Sequence, residues 1–453
     1  MEKTPLENWL ASKISSDVLR KDFSRTDLSR YQLGKLRETI EYVQFNSPFY
    51  RRHLVGLSRD RVDNLEDLRH FPFTAPEHLR EKGTEFLCVS QSEIERVVTL
   101  QLLHTTAKPI RVYFTAEDVE LTIDFFHHGM STLVKPGQKV LILMPGDRPD
   151  SVGDLLVKAL RRMNVEGIVH GIVTDPVYTI REIVRHNIDC LVGIPTQVLS
   201  LVRNDEALFV PYGRIKSVLL SSDYVSPAIA REVNRIWGCQ VFNHYGTTEM
   251  GFGGGVECTA LRGYHLREAD LYFEIVNPSS GEPLPTGDRG EIVFTTLTRK
   301  GMPLIRYRTG DLARFLLEPC LCGSALRRLD TVRGRLNDFV KVGASHWLSI
   351  TDFDDVLFPV PGLLDFEVSL TDHDNVNRLD IVVHGGSCED ETLLSAIRAA
   401  LMQSEVLCKA IQDGCVSLGS IVLGTERPLT TGTAKRGIRD RRAKEGTLNK
   451  TNT

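Results

Sequence analysis

The sequence lacks a long apolar run and a strong charge of one sign. None of the apolar runs in its 453 residues reaches the roughly 18 residues that a membrane-spanning helix needs. Lysine and arginine number 55 against 59 aspartates and glutamates, so the net charge of −4 gives no electrostatic reason to expect nucleic acid or a membrane as a partner. The first ten residues lack the apolar core of a signal peptide, so we expect a cytoplasmic protein.

Cysteine is also scarce, and its placement is uneven. The nine cysteines are an odd number, scattered along the chain except for Cys320 and Cys322. This distribution argues against a disulfide framework and leaves metal binding open. The chain does have the composition of a globular protein, with 42% hydrophobic and 25% charged residues. Its length predicts two or more domains.

The hydrophobic spacing changes along the chain. Residues 1–90 carry apolar positions three and four residues apart and are predicted to be mostly helical. Residues 130–250 alternate short apolar runs with helical patterns, which is typical of a parallel sheet covered on both faces. Residues 269–330 predict antiparallel strands. Residues 340–453 predict a last unit of strands and helix, with a basic tail from Arg436 on that frays at its end.

Four polar segments are candidates for chemistry. The sequence YGTTE at residues 245–249 follows a predicted strand, at the edge where parallel sheets bind ligands. YRTGDL at residues 307–312 holds an aspartate that a tight turn would fix. GRLND follows at residues 334–338, and PLTTGTAK at residues 428–435 places a lysine on a loop. Taken singly, each segment also has an ordinary interpretation as a polar turn.

Together and in this order, these segments resemble the adenylate-forming superfamily of acyl-CoA synthetases, and within it the phenylacetate–CoA ligase branch. The resemblance covers most of the chain, including PFYRR at residues 48–52 and the stretch from residue 295 to residue 311. It implies an α/β fold with a large N-terminal domain of doubly wound, mostly parallel sheets, a small antiparallel subdomain, and a small α+β C-terminal domain. It also implies the reaction: ATP activates a carboxylic acid to an acyl-adenylate, pyrophosphate leaves, and the acyl group passes to coenzyme A.

The resemblance extends to the domains and the partners. The AMP-binding domain would span residues 1–336, and a mobile C-terminal domain would span residues 337–453, turning at a hinge within residues 334–338. The acid is expected to be aromatic or otherwise apolar. Two histidines, His127 and His128, either line its pocket or end a helix with satisfied bonds. Neither nucleic acid nor membrane is expected as a partner, and a homodimer stays open.

The resemblance also assigns roles at the active site. A carboxylate that attacks a phosphate must overcome like-charge repulsion, so cations and hydrogen-bond donors are needed where charge develops. Glu249 would ligate the Mg²⁺ that bridges the phosphates, and Thr248 would bond the α-phosphate. Lys435 would touch the carboxylate and α-phosphate oxygens. The nucleoside contacts expected are Asp311 at the ribose hydroxyls, Arg335 at ribose or phosphate, Tyr245 and Gly246 at adenine, and Ser222 and Asp223 in the 220–224 loop on the other face of adenine.

The phosphate-binding loop departs from the family pattern, a Ser/Thr/Gly-rich run that ends in Thr-Thr-Gly-Lys-Pro. Thr105, Thr106 and Lys108 match this pattern, whereas His104 and Ala107 replace glycines. Glycine lets a backbone approach phosphate and adopt positive φ. Two other hypotheses therefore stay open: an adenylating enzyme with an acceptor other than coenzyme A, and a catalytically degenerate nucleotide-binding or scaffold protein. The other motif residues are intact and favour the enzyme.

A separate signal is a set of cysteine and histidine residues. Cys258 and His265 lie in one segment, and Cys320 with Cys322 forms a short thiol knuckle. Three thiolates and one imidazole are a closed set for structural zinc, although cytosolic cysteines are often simply buried. Some members of the phenylacetate–CoA ligase branch carry a similar set, so the resemblance favours a structural Zn²⁺ here.

Overall fold

The structure, a computed structural model, describes residues 2–14, 23–100, 108–373, 376–385, 390–424 and 436–442. The α-helices are α1 (Pro5–Ile14), α2 (Arg25–Asn46), α3 (Pro48–His53), α4 (Pro76–Lys82), α5 (Ala116–Met130), α6 (Val152–Arg161), α7 (Pro176–His186), α8 (Pro195–Val202), α9 (Pro227–Trp237), α10 (Ile350–Leu357), α11 (Asp390–Leu401) and α12 (Glu405–Gln412).

The strands are β1 (Ile94–Leu100), β2 (Ile110–Thr115), β3 (Lys139–Ile142), β4 (Glu166–Val169), β5 (Cys190–Gly193), β6 (Ser217–Leu220), β7 (Gln240–Tyr245), β8 (Gly255–Glu257), β9 (Tyr264–Leu266), β10 (Leu271–Val276), β11 (Gly290–Thr296), β12 (Tyr307–Ala313), β13 (Arg328–Leu329), β14 (Val340–Val342), β15 (His346–Leu348), β16 (Leu363–His373), β17 (Val376–Gly385), β18 (Val416–Leu423) and β19 (Ile438–Asp440).

An eight-stranded sheet lies at the centre of the N-terminal part, in the order β13-β9-β8-β7-β6-β5-β3-β4. The pairs from β4 through β7 are parallel, and β8, β9 and β13 continue the sheet with antiparallel pairs. Alternate residues of the strands enter different apolar cores, as Val140 and Leu141 do in β3, because successive strand side chains point to opposite faces. The predicted α/β class with a covered, mostly parallel sheet is therefore confirmed.

The connections between these strands follow the local sequence. The Ser226 side chain accepts a hydrogen bond from the N–H of Ala228, Pro227 occupies the first turn of α9, and Gly238 ends the helix at φ 69°. In the N-terminal helical region, α2 ends at Ser47, whose side chain also caps α3. These helix boundaries therefore follow from local signals in the sequence.

The predicted antiparallel strands are confirmed as a three-stranded sheet in the order β10-β11-β12. The C-terminal unit contains a four-stranded sheet in the order β18-β17-β16-β19, with α11 and α12 connecting β17 to β18. The basic tail begins as ordered structure, because Arg436 is buried and β19 pairs in parallel with β16. The end of the tail, which was predicted to fray, lies outside the described residues. The C-terminal unit also meets the N-terminal part directly. Arg203 donates to the carbonyl oxygen of Phe358 (2.6 Å), and one apolar core continues across both parts.

Within the part of the chain that the structure describes, no helix combines the length and the apolar character that a bilayer crossing requires.

Candidate active site

A tight turn begins at Gly246, directly after Tyr245 at the end of β7, and carries the rest of the YGTTE sequence. The backbone N–H of Phe252 donates to the carbonyl oxygen of Thr247 (2.9 Å), and that of Gly251 donates to the carbonyl oxygen of Thr248 (2.9 Å). A Cβ atom at Gly246 would lie 2.6 Å from the carbonyl oxygen of Phe252, so a side chain there would force the turn apart. Because β7 belongs to the parallel part of the sheet, this turn lies at the edge where such sheets bind ligands.

Glu249 is fixed at the end of this turn by two other side chains. Its carboxylate Oε1 accepts a hydrogen bond from the hydroxyl of Tyr307 (3.0 Å), and its backbone oxygen accepts one from Nη1 of Arg299 (2.7 Å). Burial lowers the pKa of Arg299 to about 10, so its guanidinium stays charged at neutral pH. Burial and the charge of Glu249 raise the pKa of Tyr307, which keeps its phenol protonated and able to donate. The result is a positioned carboxylate that remains partly exposed.

Asp311 lies at the centre of a second group of polar side chains. Its Oδ1 accepts from Nε of Arg335 (2.7 Å), and its Oδ2 accepts from the hydroxyl of Tyr245 (2.9 Å). Asp311 is buried, whereas the Arg335 side chain keeps 35% exposure. Burial alone would lower the pKa of Arg335, but the charge of Asp311 raises it above its ordinary value, with a further contribution from Glu249. The carboxylates of Asp311 and Glu249 therefore both act on Arg335 and belong to one electrostatic site.

A strand bulge holds Asp311, where the sequence predicted a tight turn. Along the β11–β12 pair, Glu291 faces Leu312 and Val293 faces Arg308, so three residues of β12 oppose one residue of β11. Glu291 stabilises this bulge by pairing with Arg308 and by accepting from the backbone N–H of residue 310 (3.0 Å). A long-range partner in β11 thus fixes the aspartate.

The 221–224 loop follows the neighbouring strand, β6. Ser222 adopts φ 76°, an uncommon conformation for a residue with a side chain and one that concentrates at functional sites. Asp223 accepts from the N–H of Tyr224 (2.8 Å), and the Tyr224 hydroxyl donates to Asp355 of the C-terminal unit (2.9 Å). The loop therefore joins the carboxyl edge of the sheet to the C-terminal unit.

The structure brings Tyr245, Asp311 and Arg335 into direct contact, with Glu249 close enough to influence Arg335 electrostatically. Lys108 is exposed two residues before β2. Three further predicted site residues, Thr105, Thr106 and Lys435, lie outside the described residues, as do the departures at residues 104 and 107.

The four predicted zinc ligands also come together, with their ligand atoms all within 4.8 Å of one another. Cys258 Sγ lies 3.6 Å from Cys320 Sγ, and Cys322 Sγ lies 3.4 Å from His265 Nε2. Bonds of zinc–sulfur length directed to the corners of a tetrahedron would give sulfur–sulfur separations of about 3.8 Å. The donor set is therefore compatible with one tetrahedral Zn²⁺.

Comparison with known proteins identifies the family. The model of the AMP-binding enzyme family matches residues 165–297. The phenylacetate–coenzyme A ligase of Thermus thermophilus is 30% identical over 353 residues, which are 74% of this chain and 76% of that enzyme. The chain belongs to the phenylacetate–CoA ligase family. The Escherichia coli phenylacetate–coenzyme A ligase is 28% identical over 69% of this chain and 72% of its own length.

The fold of this family member also matches solved structures. A 2-hydroxyisobutyryl-CoA ligase in its postadenylation state superimposes with a TM-score of 0.79 at 18% identity, covering 92% of this chain and 90% of that chain. The family and the enzyme class predicted from the motifs are thus confirmed, whereas the roles of individual residues stay predictions.

The sequence reasoning missed three side chains of this phenylacetate–CoA ligase family site. Tyr307 and Arg299 hold Glu249, as described above, and they reach it from other parts of the chain. Asn243 precedes Tyr245 by two residues, so both side chains lie on the same face of β7. Its Oδ1 is buried and has no hydrogen-bond partner among the described residues. Strand alternation was a signal that could have found Asn243. Tyr307 stands in a recognised motif that gave it no role, and no local pattern marks Arg299.

Proposed function

We propose that this chain is an AMP-forming acid–CoA ligase that works in two steps at the carboxyl edge of its parallel sheet. In the first step a carboxylate oxygen of the acid attacks the α-phosphorus of ATP, and pyrophosphate leaves. In the second step the sulfur of coenzyme A attacks the acyl carbon, and AMP leaves. The observation that carries the proposal is the Asp311–Arg335–Tyr245 group beside Glu249 in a member of this family.

The nucleoside would be held by the side chains around Asp311. Each carboxylate oxygen has one protein donor and can accept a further hydrogen bond from a ribose hydroxyl. Arg335, which is partly exposed, is free to supply positive charge toward ribose or phosphate. The buried acceptor Oδ1 of Asn243 lies on the Tyr245 face of β7 and would accept from the exocyclic amine of adenine. Ser222 and Asp223 would cover the other face of the base.

The phosphates would meet a metal ion and several donors. The carboxylate of Glu249 is a hard oxygen ligand of the kind that Mg²⁺ prefers, and Tyr307 fixes its orientation. The ion would neutralise the charge that develops on the phosphates. Thr248 would bond the α-phosphate, and Thr105, Thr106 and Lys108 would receive the departing pyrophosphate. Lys435 would offset the charge between carboxylate and α-phosphate.

The two steps need different groups over one pocket, so we propose that residues 337–453 turn as a unit relative to residues 1–336. The hinge would lie in residues 334–338, where the Arg335 side chain donates to Asp311 and its backbone N–H donates to Asp338 (3.3 Å). Such a motion would exchange polar contacts such as Tyr224–Asp355 for water, and it would also separate the apolar core that the two parts share.

We also propose that Cys258, His265, Cys320 and Cys322 hold a structural Zn²⁺. The ion would join the segment of Cys258 and His265 to the thiol knuckle of Cys320 and Cys322, and four protein ligands would leave no open coordination position. Helix α1 reaches the same region, because Glu7 accepts a hydrogen bond from the N–H of Ala325 (2.7 Å). The role would be to stabilise the fold beside the active site.

Acid-dependent exchange of labelled pyrophosphate into ATP tests the first step, and loss of the coenzyme A thiol tests the second. An acid–CoA ligase gives both signals with an apolar acid such as phenylacetate. Exchange without thiol loss would indicate another acyl acceptor. If folded, zinc-loaded protein gives no exchange with any acid of a broad panel, the result would favour the hypothesis of a degenerate nucleotide-binding protein. The altered phosphate loop is the feature that supports this hypothesis.

A further inference from the structure

A partly buried histidine lies on the side of β7 opposite to the Asp311 group. Successive side chains of a strand alternate, so Tyr245 faces Asp311 while its neighbour His244 faces α5. The His244 ring lies 6.2 Å from the ring of Phe125 and 6.4 Å from that of Phe126, measured between centroids. Since the nucleoside would occupy the Asp311 side, the acid would occupy this aromatic side.

The polar atoms of His244 are only half satisfied. Its Nδ1 lies 2.8 Å from the hydroxyl oxygen of Ser221, the first residue after β6. Its Nε2 is buried and has no hydrogen-bond partner among the described residues. Burial lowers the pKa of His244 to about 4, so the ring is neutral at physiological pH. A neutral imidazole bonded through one nitrogen offers the other nitrogen as a single donor or a single acceptor.

The tautomer of the ring decides whether Nε2 is a hydrogen-bond donor or an acceptor. If the Ser221 hydroxyl donates to Nδ1, the proton of the ring is on Nε2, which then donates. If Nδ1 donates to Ser221, Nε2 accepts. A substrate hydroxyl can both donate and accept, so it pairs with Nε2 in either tautomer, whereas a carbonyl or an ether pairs with only one. The surrounding phenylalanine rings favour an apolar, aromatic body for the rest of the molecule.

We infer that the Ser221–His244 pair determines substrate specificity, and that the acid is an aromatic one with a hydroxyl group that bonds Nε2 of His244. This inference rests on the proposed function, because it assigns the acid to the side of β7 opposite the nucleoside. His128, one of the histidines considered for this pocket, instead stacks on Trp9 with a centroid distance of 5.4 Å.

The test compares phenylacetate with 2-, 3- and 4-hydroxyphenylacetate in the pyrophosphate exchange assay. With the unmodified protein, the best hydroxylated acid should exceed phenylacetate at least tenfold in kcat/KM, which corresponds to 1.4 kcal/mol. The difference should appear mainly in KM, since a bond remote from the reacting carboxyl is made equally in the ground state and the transition state.

Variants at the pair separate its role from general stability. His244→Phe keeps a ring of similar shape but removes the nitrogen that bonds the hydroxyl, so it should abolish the preference for the hydroxylated acid over phenylacetate. Ser221→Ala removes the bond that orients the imidazole and should reduce the preference severalfold. His70→Phe, at an exposed histidine, is the matched control and should keep the full preference. Thermal unfolding of each variant checks that it is folded.

The outcomes distinguish this inference from the proposed function. Exchange with phenylacetate that equals or exceeds exchange with every hydroxylated acid would overturn the inference, because a water would then satisfy Nε2, and would leave the ligase intact. A hydroxyl preference that survives in folded His244→Phe and Ser221→Ala would also overturn it. Absence of exchange with every acid would reject the proposed function, and the inference with it.

Discussion

Replacing Asp311 should weaken ATP binding, and the contacts of its carboxylate set the size of the effect. Oδ1 accepts from Arg335 and Oδ2 accepts from Tyr245, so the group is already oriented before nucleotide arrives. A hydrogen bond to a charged acceptor contributes roughly 1.5–3 kcal/mol. Losing one such bond to a ribose hydroxyl in Asp311→Ala should therefore raise the Kd for ATP about tenfold to a hundredfold.

The same substitution should also lower the free energy of unfolding. The buried Tyr245 hydroxyl would lose its acceptor, which costs about 1–3 kcal/mol. Arg335 is partly exposed, so its guanidinium can turn toward water and adds less. Asp311→Asn separates the two effects, because its amide has nearly the same volume and one oxygen that still accepts. In Asp311→Asn the free energy of unfolding should recover in part, whereas the negative charge that would bind the ribose hydroxyls is still missing.

Calorimetric titration with ATP and thermal unfolding measure the two effects on the same preparations. Asp330→Ala is the matched control, since its carboxylate pairs with Arg314 at 2.9 Å near the surface. It should change the Kd for ATP by less than about a factor of two, because exposed ion pairs contribute little. Unchanged ATP affinity in folded Asp311→Ala protein would refute the placement of the nucleotide.

Four further predictions follow from other parts of the structure. Protein purified without chelator should hold one zinc per chain, and Cys320→Ser should lose the metal and unfold more readily while Cys88→Ser keeps the metal; trace zinc in the unmodified protein would reject the site. Glu249→Gln should lower the rate of adenylate formation more than ATP affinity, as single-turnover kinetics would show. Lys435→Ala should slow adenylate formation by a factor on the order of 10² but reduce thioester formation from supplied adenylate by less than about tenfold, whereas equal losses in both would exclude the assigned role. As pH falls from 6.5 to about 4, the unfolded chain binds a proton at residue 244 that the folded chain does not. Over this pH range the free energy of unfolding, measured with urea, should therefore fall by up to about 3 kcal/mol more in the wild-type protein than in His244→Gln. An equal fall in both proteins would contradict this.

The sequence was most informative where local signals were sufficient. The strands of the parallel sheet and the caps of α9 were predictable, because alternation of apolar runs and a Ser-Pro…Gly pattern specify them without distant partners. The motif segments were found for the same reason, and the sheet topology then places the turn after β7 beside the 221–224 loop at one edge. The Cys/His set was also recognisable, since its residue types are uncommon enough to stand out.

The rest depended on contacts between distant parts of the chain. Asp311 was expected in a tight turn, but the bulge that holds it requires Glu291 of the neighbouring strand. Tyr307 was part of a recognised motif, yet its hydrogen bond to Glu249 joins residues that are 58 positions apart. The unsatisfied nitrogen of His244 could not be predicted from the sequence, because it depends on which polar groups of other segments lie near the ring.

Arg436 illustrates how a basic tail can become part of a core. Its guanidinium pairs with Asp354 and, at 3.1 Å, with Asp365, and it lies over the rings of Phe358 and Phe366. A cation with only 8% of its side chain exposed is stable because two carboxylates compensate the loss of hydration. These partners lie some 70 to 80 positions earlier in the chain, so no local pattern could reveal them. Since Arg436 is joined to Lys435 by a peptide bond, this anchor fixes the point from which the predicted catalytic lysine must reach the active site.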